Sequence, residues 1–543
     1  MSGETELVNA RREDVLQAYN SAKATNRVEY LEGNDNATEE YIFPNQILDA
    51  NNIVEKFYNY KRRVVSIQKK TKVGADGLMI EIAKLLTTHP DDDFVINPAN
   101  VRILTGMSNA GWEKDMIKKA PSCFKDKIFH HGKLSRADLM HMKNSLIVID
   151  EIDTGDKENQ VLHKTLKEAG VLDVKHMEKF NNRFVFISAT MIKELYDLYR
   201  WGDLHELYKM TIPDSYVGHK DFLDLGVIKE FYDLKIPSNS EKWVQEDILC
   251  RYGNDFRVHL VRVNTKTVSI IEKACIHNGL AFRNHTSTER LSFDQIQEFF
   301  KEPLTMHIVL GIKGFFRRAN LIPNRWKLRI GATHELFTKT VDNNVQIQGL
   351  PGRMTGYWRS DIEAGHLTGP HRTSIKAIQE YETTYHDPFG LNDFNTFGFK
   401  KKKGKVSAKP TMLSPKNILN LETVDLPVLE EEEEINLYRI YDNEDVFCKV
   451  CKILDYKYKK AEINEHGFKM TSLNETSCVA SLHDALKKIH TGYGGKKKAF
   501  RTYYPCYVDT SDISTLRFVV IIRPGDQDKL EECDAKYTPL SKD

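Results

Sequence analysis

The segment that decides the fold lies at residues 146–153 and reads LIVIDEID. Its apolar, largely β-branched start predicts a buried strand, which ends in the carboxylates Asp150 and Glu151 and is followed by Asp153. Ligands bind at the carboxyl edge of parallel sheets, so Asp150 is suited to hold Mg²⁺ and Glu151 to orient a water against a γ-phosphate. Taken alone, the same pattern is also typical of a βα loop with a helix N-cap, so neighbouring segments decide between the two.

Short β-branched runs alternate with helical patterns from about residue 40 to residue 400, which is the rhythm of repeated βα units in a mostly parallel sheet. The candidate strands are 63–67, 101–105, 146–149, 184–187, 258–263 and 307–310. Pro and Gly interrupt the periodicity at residues 210–218, between the first four strands and the last two. The sequence therefore predicts an α/β fold with two doubly wound lobes.

Two further segments carry polar residues suited to the same site. The strand 184–187 runs directly into Ser188 and Thr190, and residues 346–357 read QIQGLPGRMTGY, which sets Arg353 in a glycine-rich turn. A guanidinium is suited to stabilising charge on a transferring phosphoryl group. Taken alone, the first segment is typical of helix capping and the second of an ordinary Gly/Arg loop.

These three segments resemble, in their order along the chain, motifs II, III and VI of superfamily 2 helicases. They are the Asp-Glu-x-Asp end of one strand, the Ser-Ala-Thr end of the next, and the turn that contains Gln and Gly-Arg. The resemblance covers about residues 40–370 and implies two tandem RecA-like domains that bind ATP and Mg²⁺ in the cleft between them. The roles it implies are magnesium binding and water activation for Asp150 and Glu151, catalysis by Gln348 and Arg353, and nucleotide contact with coupling to nucleic acid for Ser188 and Thr190.

The resemblance also implies positions for the remaining motifs. Gln46, about 20 residues before the first strand, resembles the glutamine that reads adenine, although an ordinary loop amide explains it too. Small residues and free amides after the strand 101–105 suit contacts with a nucleic-acid backbone. The residues that the resemblance assigns to nucleic acid in the two lobes are Thr105, Gly106, Ser108, Lys313 and Arg317.

The phosphate-binding loop departs from the pattern Gly-x4-Gly-Lys-Ser/Thr. Residues 68–77 read QKKTKVGADG: Gly74 is retained, Ala75 occupies the lysine position and Asp76 the hydroxyl position. We expect Lys72, Gly74, Ala75, Asp76 and Gly77 to surround the phosphates, with hydrolysis impaired because the lysine is absent. Such a chain is either a natural pseudo-ATPase or a variant in which alanine replaces a lysine.

The sequence predicts five regions: an N-terminal extension (1–40), RecA-like domains at 41–215 and 216–400, a charged linker (401–434) and a small α+β accessory domain (435–543). In the last region, a turn with Lys496, Lys497 and Lys498 among aromatic residues suits nucleic-acid binding. A solvated hairpin is the equal alternative. Cys448 and Cys451 are expected to be core thiols rather than zinc ligands.

Composition excludes several classes of protein. The 543 residues carry 78 Lys+Arg against 77 Asp+Glu, so bulk charge indicates no polyanionic partner. Eight scattered cysteines favour free thiols in a reducing compartment, and the acidic N-terminus with no long apolar run predicts neither secretion nor a membrane span. We expect an intracellular site of action: the cytoplasm or nucleus of a host, or a virion.

The favoured function is a nucleic-acid-dependent ATPase of the superfamily 2 helicase or translocase type, with DNA more favoured than RNA. The motif set loosely resembles helicase-type proteins of large DNA viruses and phages. Two alternatives stay open: a non-hydrolysing clamp for nucleic acid or protein, and the motor subunit of a nuclease complex. A protein partner, if there is one, is expected at the C-terminal domain.

Overall fold

The computed structural model describes residues 2–34, 37–108, 110–155, 160–170, 172–198, 203–286, 289–301, 303–314, 322–386, 393–396, 399–402, 405–408, 438–456, 458, 461–473, 476–482, 485, 503–521 and 527–540. The chain divides into two compact units, Met1–Asn420 and Leu421–Asp543. Among the helices in these ranges, none is long and apolar enough to cross a membrane.

The first lobe is built on a six-stranded parallel sheet in the order β3-β2-β4-β5-β1-β6. Its strands are β1 (Val64–Gln68), β2 (Val101–Thr105), β3 (Ile128–Phe129), β4 (Leu146–Asp150), β5 (Arg183–Ser188) and β6 (His205–Lys209). Its helices are α1 (Ser2–Leu31), α2 (Pro44–Tyr58), α3 (Ala75–Thr87), α4 (Ala110–Lys119), α5 (Val161–Ala169), α6 (Val174–Phe180) and α7 (Ile192–Leu198). The central strands are buried on both faces, as expected for a parallel sheet covered by helices.

The second lobe repeats this architecture, with the parallel order β10-β11-β9-β12-β14-β8. Its strands are β7 (Tyr216–Val217), β8 (Ile228–Glu230), β9 (Val258–Arg262), β10 (Ala281–His285), β11 (Ile308–Ile312), β12 (Ile330–His334), β13 (Gly356–Tyr357) and β14 (His371–Thr373), where β7 and β13 form a separate antiparallel pair. Its helices are α8 (His219–Asp224), α9 (Pro237–Lys242), α10 (Cys250–Tyr252), α11 (Val268–His277), α12 (Phe293–Lys301), α13 (Asn324–Lys327), α14 (Asn343–Ile347), α15 (Leu350–Met354), α16 (Arg359–Glu363) and α17 (Ile375–His386).

Register brings the predicted site residues of the first lobe into one row. Thr105 pairs with Asp150, Asp150 pairs with Ile187, and Ser188 pairs with Gln68 at the carboxyl ends of four adjacent strands. Because all these strands run in the same direction, the loops that follow them share one edge of the sheet.

The predicted α/β architecture of two tandem RecA-like lobes is confirmed by these two sheets, but six of their strands were missed. They are β3, β6, β8, β10, β12 and β14, which are short or rich in polar residues. The strand β14 shows why: it is fully buried, yet its His371 is accommodated by hydrogen bonds with Thr333 and Thr368 at 3.0 and 3.1 Å. Thr333 is 38 residues away along the chain, and a criterion based on apolar runs does not detect a buried strand that contains such a hydrogen-bonded histidine.

The N-terminal extension contains the 30-residue helix α1, which packs against the first lobe. Val15 is fully buried in the core of that lobe, and Tyr19 donates a hydrogen bond to Glu81 Oε2 at 2.8 Å. Arg12 donates to the carbonyl of His89 at 2.9 Å and pairs with Asp92 at 2.7 Å. This helix is therefore part of the first compact unit.

The basic start of the predicted linker forms strands instead. An antiparallel sheet contains β15 (Phe394–Thr396), β16 (Phe399–Lys402) and β17 (Lys405–Ala408), with Lys400 opposite Ser407. Alternation explains the difference, because Phe399 is buried while Lys400 is exposed. Residues 409–437 lie outside the described part of the chain.

The second unit is a small α+β structure. It contains β18 (Tyr438–Tyr441), α18 (Glu444–Ile453), β19 (Thr471–Leu473), β20 (Thr476–Cys478), β21 (Tyr503–Tyr507), β22 (Leu516–Ile521) and α19 (Gln527–Lys536). Cys451 is buried beside Phe447 and Val450, as a core thiol would be.

Candidate active site

Both lobes of the first unit line one cavity of about 860 Å³. The first lobe contributes the loop after β1 and the acidic end of β4, and the second lobe contributes residues from α15 and the segments around it. Among the residues that line it are Asp150, Glu151, Lys72, Gln348 and Arg353. The folded chain therefore brings together residues that the sequence places more than 200 positions apart.

Asp150 lines this cavity and has one carboxylate oxygen without a hydrogen bond. Its Oδ2 accepts a hydrogen bond from Trp112 Nε1 at 2.9 Å, whereas its buried Oδ1 accepts none from the residues described and lies 3.5 Å from the Lys69 ammonium. Burial raises the pKa of Asp150 to about 6, against the lowering effect of Lys69. A buried carboxylate oxygen without a hydrogen bond is a suitable ligand for a hard cation such as Mg²⁺.

Glu151 is held in an unusual backbone conformation. Its φ of 53° lies in the left-handed region, which costs a non-glycine residue about 1–3 kcal/mol and is common at functional sites. Its carboxylate accepts hydrogen bonds from Lys69 Nζ at 3.1 Å and from Ser188 Oγ at 3.4 Å. The strained turn therefore directs Glu151 toward the same cavity as Asp150.

Hydrogen bonds connect the acidic segment to the second lobe. Ser188 and Thr190 donate to the two carboxylate oxygens of Asp153 at 2.7 and 2.8 Å. Gln348 Nε2 donates to Thr190 Oγ1 at 3.4 Å, and Arg353 Nη2 donates to Gln348 Oε1 at 2.9 Å. This chain of contacts joins the predicted coupling residues to the predicted catalytic residues.

Arg353 was predicted in a turn but lies in the short helix α15. Gly349 precedes this helix, and a Cβ at Gly352 would overlap the carbonyl of Ile347. The glycines of this segment therefore permit close packing around a buried arginine, which is only 1% exposed.

The phosphate loop has the geometry of a turn into a helix. Gly74 adopts a φ of 92° immediately before α3, and Ala75 is the buried first residue of that helix. The next residue, Asp76, pairs with Lys119 Nζ at 2.6 Å. Burial would raise the pKa of Asp76, but Lys119 and nearby lysines outweigh it and lower the pKa. Asp76 and Lys119 are 43 residues apart along the chain, and their ion pair explains how the Asp76 carboxylate is tolerated beside the predicted phosphate site.

Gln46 lies against this loop and not among the residues that line the cavity. Its Nε2 donates to the carbonyl of Gly74 at 2.6 Å, and its Oε1 accepts from the backbone of Phe43 at 2.9 Å. A Cβ at Gly74 or Gly77 would overlap the Gln46 amide. The structure thus gives Gln46 a loop-positioning contact, and its adenine contact stays a prediction.

The second lobe holds the phosphate loop directly, which the sequence did not reveal. Thr355 Oγ1 lies 2.9 Å from the Thr71 carbonyl, and Tyr357 donates to the Val73 carbonyl at 2.7 Å. Lys70 pairs with Glu382 Oε2 at 2.6 Å. The sequence gives little indication of these contacts. It shows a lysine-rich loop in the first lobe and aromatic and hydroxyl residues in the second, but not that they meet.

Comparison with known proteins gives similarity only to solved structures. No protein-family model matches the chain, and no curated protein matches it. Similar structures include S. cerevisiae Dbp5 bound to RNA and ADP BeF3 (12% identity, 65% of this chain and 93% of that chain, TM-score 0.33). Others are the E. coli DEAH/RHA helicase HrpB (10% identity, 63% and 47%, TM-score 0.37) and the helicase domain of Pyrococcus furiosus Hef (10% identity, 62% and 97%, TM-score 0.31).

These scores are low, so the assignment of the fold rests on the chain's own two parallel sheets and the cleft they share. The chain has the fold of two tandem RecA-like α/β lobes. Its second unit, residues 421–543, lies outside the region in which the sequence resembles helicase motifs.

The predicted nucleic-acid residues have different surroundings in the structure. Thr105 and Gly106 are buried, and Ser108 is exposed. Lys313 is exposed after β11, with its Nζ 3.5 Å from Thr265 Oγ1. Their contacts with nucleic acid stay predictions, and the other residues assigned to nucleic acid, Arg317, Lys496, Lys497 and Lys498, lie outside the described residues.

Gly106 is explained by packing. A Cβ there would overlap the carbonyl oxygen of Thr154 and contact Leu162. We expect Gly106→Ala to lower the free energy of unfolding by about 1–3 kcal/mol, because the backbone must shift to admit the methyl group. Urea denaturation measures this loss.

The matched control is Gly132→Ala, where the nearest atoms belong to the rotatable His130 ring, and its effect is expected within about 0.5 kcal/mol. A Gly106→Ala chain as stable as the parent, but weaker in binding nucleic acid, would favour a backbone-contact role for Gly106 instead.

Lys327 is a buried lysine of the second lobe whose ammonium, among the residues described, donates to neutral acceptors. It donates to the Thr355 carbonyl at 2.7 Å and to Asn324 Oδ1 at 2.9 Å. Burial, assisted by Arg353, lowers its pKa from 10.5 to about 7. Between these two values the unfolded chain binds more protons than the folded chain, so the contribution of Lys327 makes unfolding harder as pH rises.

We therefore expect the unfolding free energy of the parent, relative to Lys327→Met, to rise on the order of 3 kcal/mol from pH 7 to pH 10.5. Chemical denaturation across this pH range measures the difference between the two curves, in which the titration of other groups cancels. Parallel curves would show that Lys327 keeps its ordinary pKa.

Proposed function

We propose that this chain is a nucleic-acid-stimulated ATPase of the superfamily 2 helicase or translocase type, directed at DNA. The observation that carries the proposal is the shared cavity, in which Asp150 and Glu151 of the first lobe meet Gln348 and Arg353 of the second. When two lobes close around a nucleotide, their motion can be coupled to movement along a nucleic-acid strand.

The roles follow from the contacts. Asp150 Oδ1 is the carboxylate oxygen suited to hold Mg²⁺, which would neutralise charge on the nucleotide phosphates. Glu151 orients the attacking water from its strained turn. Arg353, positioned by Gln348, places positive charge opposite the γ-phosphate from the second lobe.

Nucleic-acid sensing is supported by the bonds of Ser188 and Thr190 to Asp153. They link the acidic strand end with Gln348 of the second lobe, so a shift of that lobe would change the surroundings of Glu151. The loose likeness of the motif set to helicases of large DNA viruses and phages favours DNA. Dbp5, one of the similar structures, is bound to RNA, so both tracks belong in the test.

The test is ATP hydrolysis by the full chain with single-stranded DNA and RNA of the same sequence, beside its Ala75→Lys variant. Stimulated turnover by the parent supports the proposal. Turnover by only the lysine variant would support a motor that Ala75 impairs. If neither form hydrolyses ATP while both bind nucleic acid, the motor function is wrong.

A second candidate, a nucleotide-regulated clamp that does not hydrolyse, is favoured by the contacts of the second lobe with the Thr71 and Val73 carbonyls. Those contacts hold the lobes together through the phosphate loop itself. Nucleic-acid binding that depends on ATP, with no release of phosphate from parent or variant, would favour this clamp.

A further inference from the structure

The phosphate loop carries lysines at unexpected positions. In the pattern Gly-x4-Gly-Lys, Gly74 is the second glycine, so Lys69 stands where the first glycine is expected and Ala75 where the lysine is expected. The loop has lost a cation at its helical end and has gained cations in its earlier part.

The other lysines of the phosphate loop, and Arg353 of the second lobe, differ in what they contact. The Lys69 ammonium lies 3.1 Å from Glu151 Oε1 and 3.5 Å from Asp150 Oδ1, so it is already neutralised by carboxylates. Lys70 pairs with Glu382 of the second lobe. Arg353 donates to Gln348.

Lys72 differs from these residues. It is half-buried and lines the cavity, yet within the described ranges its ammonium has no hydrogen bond and no ion pair. Burial, Arg353 and Lys69 lower its pKa well below its ordinary value, against the raising effect of Asp76 and Glu151. Burial therefore disfavours the ammonium form of Lys72 unless an anion completes the site.

The backbone at Lys72 is also unusual. Its φ of 57° lies in the left-handed region, where lysine is rare and glycine is preferred. A lysine kept in this conformation, with its side chain at the cavity, indicates that the side chain contributes something a glycine could not.

We propose that Lys72 replaces the missing phosphate-loop lysine and binds the polyphosphate of ATP from the loop itself. The inference rests on the proposed function, because that function brings a nucleotide to the cavity. Lys69 remains with the two carboxylates, so the site retains one cation for the acids and one for the phosphates.

The left-handed conformation permits a sharp test with the full chain. Lys72→Gly removes the ammonium and suits the backbone, so it should keep or raise the melting temperature. MgATP binding, measured by displacement of a fluorescent ATP analogue, should weaken about 10- to 100-fold in both Lys72→Gly and Lys72→Ala. Lys72→Arg keeps the charge and should stay within about 3-fold of the parent.

A matched control separates charge in the cavity from charge elsewhere. Lys114→Ala, at an exposed lysine of α4 outside the cavity, should leave MgATP binding unchanged.

The outcomes distinguish this inference from the proposed function. If Lys72→Gly and Lys72→Ala bind MgATP as the parent does, the assignment of Lys72 is wrong, whatever the chain hydrolyses. If the parent binds MgATP through Lys72 but neither DNA nor RNA stimulates hydrolysis, the proposed function is wrong and the assignment stands. A parent that binds no MgATP would overturn both.

Discussion

Glu151→Gln is expected to lower kcat for nucleic-acid-stimulated ATP hydrolysis by about 10²- to 10⁴-fold, the usual contribution of a general base. The amide keeps the size of the side chain and loses the charge that Lys69 and Ser188 now hold in position. The affinity for MgATP should change little, because the side chains of Asp150 and Lys72 are kept and Lys69 retains its ion pair with Asp150. Steady-state phosphate release and nucleotide displacement measure the two quantities separately.

The matched control is Asp247→Asn. Asp247 is also a buried carboxylate in an ion pair, 2.5 Å from Arg372 Nε, but it lies outside the cavity. Its loss should lower stability and leave kcat near that of the parent. Equal losses of kcat in the two variants would mean that Glu151 acts through folding and not through water activation.

Arg353→Ala is the second variant with a large expected effect, a loss of about 10³-fold or more in kcat. The guanidinium is buried, lines the cavity and is positioned by Gln348 Oε1 at 2.9 Å. Because its charge acts mainly in the transition state, MgATP binding should weaken far less than turnover. Arg353→Lys should recover little, since an ammonium cannot reproduce the planar donor geometry.

Arg329→Ala provides the comparison for Arg353. Arg329 is a partly buried arginine of the same lobe that donates to the Phe300 carbonyl at 3.0 Å and does not line the cavity. Its removal should leave kcat unchanged. If Arg353→Ala hydrolyses ATP at the parent rate, the proposal that the second lobe contributes a catalytic residue is wrong.

The strand ends of the first lobe were predictable because local pattern and topology agree there. The apolar run before Asp150 predicts a buried strand, and parallel neighbours necessarily place Ser188 at the same edge. The order of motifs then predicted that Arg353 belongs to the same site, although not that it lies in a helix.

The phosphate loop was less predictable, because its features depend on contacts between distant residues. The pairing of Asp76 with Lys119 and the contact of Gln46 with Gly74 leave no local pattern. The left-handed backbone at Lys72 is equally invisible, since the sequence shows a lysine among lysines. The sequence therefore predicted that Lys72 lies near the phosphates, but neither its backbone conformation nor the contacts that distinguish it from Lys69 and Lys70.

The second sheet shows the same limit. His259 lies in a buried strand, where its Nδ1 accepts a hydrogen bond from the backbone of Ala332 at 2.9 Å and the pairing of β9 with β12 becomes irregular. A histidine whose ring is hydrogen-bonded to a neighbouring strand can be buried, but in the sequence it is counted as a polar residue. Buried strands could therefore be recognised in the sequence of the first lobe more readily than in that of the second.

The central claim is that this chain hydrolyses ATP in a cavity shared by two lobes and that nucleic acid stimulates the reaction. The most direct measurement is phosphate release by the parent and by Glu151→Gln, with and without single-stranded DNA or RNA. We predict stimulated turnover by the parent and almost none by the variant, with equal MgATP binding. Turnover that nucleic acid does not change, or that survives in Glu151→Gln, would contradict the claim.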